Sequence, residues 1–137
     1  MIAFIDTSSL IKRYIKEENS EKLLAYMSGL SGVIVAPVTL IELYSGLTRR
    51  LDDRSLTSKN YQEIEAEVLR NFQHFHVVQW NDELMMEAVT LVKRYKLRAL
   101  DAIQLAGAKL AGAQELVASD MVLAAAARKE IKTVRVI

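Results

Sequence analysis

The chain has 137 residues, with 18 lysines and arginines against 17 acidic residues and a net charge of +1. It has no cysteine, which rules out a disulfide framework, a thiolate zinc site and a cysteine nucleophile, and fits a reducing cytoplasm. Apolar residues make up 51%, the globular norm, and a chain of this length buries roughly two thirds of its unfolded surface as one domain, residues 1–137. No apolar run approaches the ~20 residues of a membrane span, and the opening lacks the basic start of a signal peptide, so neither is expected.

IAFI (2–5) reads as a short buried strand, followed at once by Asp6, Thr7, Ser8 and Ser9. Leu10, Ile11, Tyr14 and Ile15 then repeat at helical spacing over 8–16. Ser20 is a candidate N-cap for a helix through Met27, closed near Gly29 or Gly32. VIVA (33–36) reads as a strand ended by Pro37, and Thr39 to Leu51 as a helix with Leu40, Leu43, Tyr44 and Leu47 on one side. The polar stretch 52–60 leads to a helix from Tyr61 to Phe75, and HVVQ (76–79) is a third strand. Asn81 or Asp82 caps a helix to about Lys96, and a very apolar helix runs from near Ala99 to about Gly112. ELVA (115–118), a helix from Met121 to Lys129 and a strand from Thr133 to Ile137 complete the chain.

Short β-branched strands alternating with helices predict an α/β fold with a parallel sheet of about five strands and helices on both faces. Ligands bind such folds beyond the carboxyl ends of the strands, where the strand order reverses. Asp6, Glu42 and Asp120 all come just after strands, so they belong on that edge. Asp101 precedes its strand and is the one acidic residue in the uncharged stretch from Ala99 to Ala108, where a lone carboxylate needs a partner.

Each acid also has a plainer reading. Thr39-x-x-Glu42 has the form of a capping box, Ser119-Asp120 of a helix cap, Asp101 gains from a helix dipole, and Asp6 fits an ordinary loop. Four caps need not converge, whereas a site for a hard cation must, and oxygen ligands without cysteine select Mg²⁺ or Mn²⁺ over zinc. His74 and His76 read as rim residues, Met85 and Met86 as packing on neighbouring helices, and Trp80 as a core or interface anchor. KRYKLR (93–98) reads as a solvated helix end, with a phosphate-binding role as its alternative because it lies close to Asp101.

FIDTSSLIKRYIKEENSEKL, VTLIELYSGLTRR, RALDAIQLAGAKLAGA and LVASDMVLAAAA together resemble the PIN domain, in the form carried by VapC toxins of type II toxin–antitoxin pairs. The resemblance covers essentially the whole chain. It implies a three-layer α/β/α sandwich of strand order 3-2-1-4-5 and a cytoplasmic ribonuclease dependent on Mg²⁺ or Mn²⁺. It also implies a homodimer, for which the apolar fraction is a second motive, and a VapB-like antitoxin that inserts a C-terminal segment into the acidic groove. The catalytic acids match Asp6, Glu42, Asp101 and Asp120, with Asp6, Asp101 and Asp120 on the metal. Thr7, Ser8 and Ser119 are the supporting hydroxyls; where the family often has a threonine two residues before the last acid, this chain has Ala118. Lys12, Arg13, Arg49 and Arg98 are the candidates for holding the RNA backbone. Two alternatives are a PIN-like module that grips RNA or protein without cutting, and a phosphotransferase with Asp6 as nucleophile. The second wants another aspartate where this chain has Ser8.

Overall fold

The computed structural model describes residues 1–137. Five parallel strands form one sheet: β1 (Ile2–Ile5), β2 (Gly32–Val35), β3 (His76–Val77), β4 (Glu115–Ala118) and β5 (Thr133–Val136), in the order β3-β2-β1-β4-β5. The helices are α1 (Thr7–Leu10), α2 (Ser20–Ser28), α3 (Thr39–Asp52), α4 (Ser58–Phe72), α5 (Asp82–Tyr95), α6 (Ala99–Leu110) and α7 (Met121–Ala127), with one 3-10 turn over Ile11–Arg13. The predicted order 3-2-1-4-5 and the α/β/α layering are both present.

Alternation along the strands divides the core. Ala3, Ile5, Val33, Val35 and Val117 pack with Leu10, Leu23, Leu43, Leu47 and Val68, so α1 to α4 cover one face. Phe4, Ile34, Leu116 and Ala118 pack with Leu84, Leu91, Leu105 and Leu123, so α5 to α7 cover the other. Burial on both faces is why the central strands read as continuous apolar runs. The helix α6 lies so close to β1 that a Cβ added at Gly107 would sit 3.3 Å from the Phe4 ring. That helix ends in a Schellman turn: Gly112, at φ +65°, donates to the Lys109 carbonyl and Ala113 to that of Ala108.

Several boundaries depart from the sequence reading. The expected helix over 8–16 is only α1 and a 3-10 turn. Asn19, in the left-handed region, sits at the N-cap of α2, while the Ser20 hydroxyl accepts from the Glu17 amide and donates to the Ile15 carbonyl. The helix expected from Tyr61 starts at Ser58, because the Thr57 side chain caps it by accepting from the Asn60 amide. The third strand pairs only over His76 and Val77, and Met85 and Met86 are exposed rather than packed. No helix is long and apolar enough to cross a membrane.

Candidate active site

The strand order reverses between β1 and β4, and an aspartate follows each strand within two residues. The Asp6 amide donates to the Val117 carbonyl at 3.0 Å, extending the β1–β4 ladder one residue and fixing the Asp6 backbone beside the end of β4. Asp6 then becomes the N-cap of α1, accepting from the Ser9 amide at 3.1 Å and from the Ser8 hydroxyl at 2.7 Å. Asp120 caps α7 in the same manner, through the Leu123 amide at 2.9 Å. The plain capping reading is therefore true of Asp120, and Asp6, plainly read as a loop residue, is a cap as well; a cap places its carboxylate at the carboxyl edge of the sheet.

Glu42 behaves otherwise. Val38 occupies the N-cap of α3 and makes no side-chain cap, so the Thr39–Glu42 capping box does not form. Glu42 Oε1 instead accepts from the Thr7 hydroxyl at 3.0 Å and from Gln104 Nε2 at 2.7 Å. Gln104 also donates towards the Thr7 hydroxyl at 2.9 Å and lies 3.2 Å from that of Thr39. The sequence reading did not single out Gln104. Its signal was present in hindsight: a glutamine three residues after Asp101, on the same face of an otherwise apolar helix.

The four acids act on one another. Burial pushes the Asp6 carboxyl up to about 6 against the hydrogen bonds from Ser8 and Ser9, and repulsion from Asp101 adds to the rise. Asp101 is raised by burial first, then by repulsion from Asp120 and Glu42, with Arg98 opposing. The half-buried Asp101 carboxylate makes no hydrogen bond or salt bridge within the chain. No three acidic side chains close tightly enough to form a ready-made metal cage. Mg²⁺ does not require one, since it keeps several waters and is bound through one or two carboxylates. An all-oxygen set of mutually repelling acids, offset only by Arg98, fits such an ion in its chemistry.

Around this edge the other candidates divide. Thr7 and Ser8 are committed to Glu42 and Asp6. Ser119 is turned away from the acids: its hydroxyl shares a 2.9 Å hydrogen bond with Ser9 and donates to the Ile137 carbonyl. Ala118 is fully buried and brings no hydroxyl. Among the cations, Lys12 donates to the Ile137 carbonyl at 2.8 Å, and Arg13 is held by Asn71 and Glu67. Arg49 and Arg98 are exposed and make no salt bridge, which leaves them available to an anion. His74 and His76 are exposed, and Arg94 of the 93–98 run pairs with Glu130.

A fold of this topology with acids at the switch point is that of the PIN domain, and the family's sequence profile matches residues 3–129. The chain belongs to the PIN domain family. FitAcB from Neisseria gonorrhoeae is similar in structure, with a TM-score of 0.72 at 16% identity over 98% of this chain and 97% of that one. VapC20 from Mycobacterium tuberculosis, a sarcin–ricin loop cleaving toxin, has a TM-score of 0.70 at 21% identity over 90% of this chain and 94% of its own. VapBC-1 from nontypeable Haemophilus influenzae has a TM-score of 0.69 at 16% identity, covering 97% and 96%. No curated protein matches this chain in sequence.

Proposed function

We propose that this chain is a Mg²⁺- or Mn²⁺-dependent ribonuclease that cleaves RNA phosphodiester bonds, and the toxin of a VapBC-type pair. The observation that carries the reading is Asp101: a carboxylate with no side-chain hydrogen bond or salt bridge, raised by burial and by the charges of Asp120 and Glu42, in a PIN fold. Asp6, Asp101 and Asp120 would hold the ion. Bound there, it would activate a water and offset charge on the phosphoryl and leaving oxygens. Ser8 and the Ser9 amide hold the Asp6 carboxylate in place, and the Leu123 amide does so for Asp120. Thr7 and Gln104 hold Glu42. Arg49 and Arg98 bind phosphates flanking the scissile bond and position the strand without reading its bases. A VapB-like antitoxin would block the groove with a cationic side chain, an arginine being suited to bridging two carboxylates.

The chain acts as a single cytoplasmic domain and as a homodimer. Support for the dimer comes from α5, α6 and the loop that precedes α5, where Met86 and Trp80 are 56% and 52% exposed. Met85, Val89 and Leu100 are exposed as well, and Trp80, Met85 and Val89 line an apolar groove of about 270 Å³. The reading is tested by incubating total RNA with the protein. Cleavage requires Mg²⁺ or Mn²⁺ and is lost with EDTA and in Asp6→Asn. RNA binding without cleavage by the wild type, in either metal, would favour the non-catalytic module instead.

A further inference from the structure

Gln104 is 2% exposed, and its amide is oddly used. Nε2 has two hydrogens and faces three oxygens, those of Glu42, Thr7 and Thr39. The other end of the amide, Oε1, is buried without any partner. Rotating the amide by half a turn does not relieve this, because it would set Oε1 at about the 2.7 Å now separating Nε2 from the Glu42 carboxylate. The charge on Glu42 thus dictates the orientation, and the orphaned carbonyl is its consequence. The Thr7 hydroxyl accepts from Gln104 and passes its own hydrogen to Glu42, so a closed ring of three side chains binds Glu42 Oε1. Glu42 Oε2 receives no hydrogen bond from the protein. A glutamine present only to fill space would satisfy both ends or be replaced by an apolar side chain.

We propose that Gln104 is a positioning residue that, through this ring with Thr7, locks one oxygen of Glu42 and leaves the other free to hold water at the metal site. The inference rests on the nuclease reading and adds to it a residue that acts only through Glu42. Gln104 belongs to α6, in the layer of α5 to α7, and Glu42 to α3 in the opposite layer. The ring therefore sets the distance between Glu42 and Asp101, whose helix Gln104 shares.

The test uses the full chain with Gln104→Met, which keeps length and removes both hydrogen-bonding ends, alone and combined with Glu42→Ala. Mn²⁺ affinity is read by electron paramagnetic resonance, kcat and KM on an RNA oligonucleotide, and melting temperature in EDTA. The melting temperature is expected to hold or rise, because the orphaned carbonyl is gone. Mn²⁺ affinity or kcat is expected to fall by about 10- to 100-fold, the range for partners that orient metal ligands, with KM for RNA unchanged. In the Glu42→Ala background Gln104→Met should add nothing further, since its target is absent. Undiminished affinity and kcat, or a loss of equal size in both backgrounds, overturns the proposal. Gln104→Leu takes the place of Gln104→Met if the latter does not fold; failure of both makes Gln104 a packing residue and overturns it as well. A wild type that neither binds Mn²⁺ nor cleaves RNA overturns the nuclease reading and this inference with it. A wild type that does both, beside an unaffected variant, overturns this inference alone.

Discussion

Replacing Asp6 by asparagine should stabilise the protein in EDTA, by an amount that depends on pH. The buried carboxyl titrates at about 6 in the folded chain against an ordinary 3.8. Below both values it is protonated in the folded and unfolded states alike, and its ionisation costs nothing. Between them the folded state keeps a proton that the unfolded state releases, so stability falls as pH rises through that window. Above about 6 the full penalty is present. At about 1.4 kcal/mol for each pH unit, the difference amounts to roughly 3 kcal/mol. Asparagine is as good an N-cap as aspartate, so the bond from the Ser9 amide survives, while the Ser8 hydroxyl turns from donor to acceptor for the new amide nitrogen. Urea unfolding of wild type and Asp6→Asn, in EDTA at pH steps from 3.5 to 8, measures the effect. The gap between the two should open by about 2–3 kcal/mol between pH ~4 and pH ~7. Saturating Mn²⁺ should close most of it, since an ion at ~100 times its dissociation constant stabilises the wild type by about 2.7 kcal/mol. A gap that does not change with pH would refute the argument, because loss or gain of a cap has no such dependence.

Asp101→Asn should abolish Mn²⁺-dependent cleavage while leaving the fold intact by circular dichroism, and should gain stability in EDTA with rising pH like Asp6→Asn. Arg98→Ala should weaken RNA binding evenly across sequences and reduce the slope of log affinity against log salt by about one, as read by filter binding at several salt concentrations. Met86→Glu should shift a dimer towards monomer in light scattering without changing the melting behaviour of the isolated subunit. Arg135→Ala should destabilise the chain by about 2 kcal/mol in thermal or chemical melts. It leaves the buried Glu115 carboxylate with only the Tyr26 hydroxyl as partner.

Much of this was legible because strands and their ends are written locally. IAFI, VIVA and ELVA are buried on both faces beyond the exposed Ile2 and carry no polar residue until the chain leaves the sheet, apart from Glu115, which Arg135 neutralises and Tyr26 hydrogen-bonds. Asp6 follows its strand at once and Asp120 one residue later, so parallel pairing alone sends them to one edge. The α/β class followed from the same pattern; the strand order came from the resemblance. Long-range choices were less readable. Thr39 and Glu42 have the spacing of a capping box, but Gln104 arrives from a helix more than sixty residues away and takes both groups. Ser20 looks like a cap, yet Asn19 in a left-handed turn redirects its hydroxyl to the backbone behind it. Gln104 went unnoticed because one amide on an apolar helix has no local partner; its meaning depends on what α1 and α3 bring to it. Met85 and Met86 carry no mark that separates a buried methionine from one on an open surface.

The two layers of helices meet across the sheet and, past its carboxyl edge, through the contacts around Gln104. Asp6 and Glu42 come from one layer, Asp101 and Asp120 from the other. An active centre assembled astride that seam works as a proofreader of the fold. Loosening of either layer, even a transient opening far short of global unfolding, draws the two pairs apart. Activity should therefore decline at lower temperature or denaturant than any bulk optical signal. A half-assembled or heat-damaged copy of the chain would be harmless before it was unfolded.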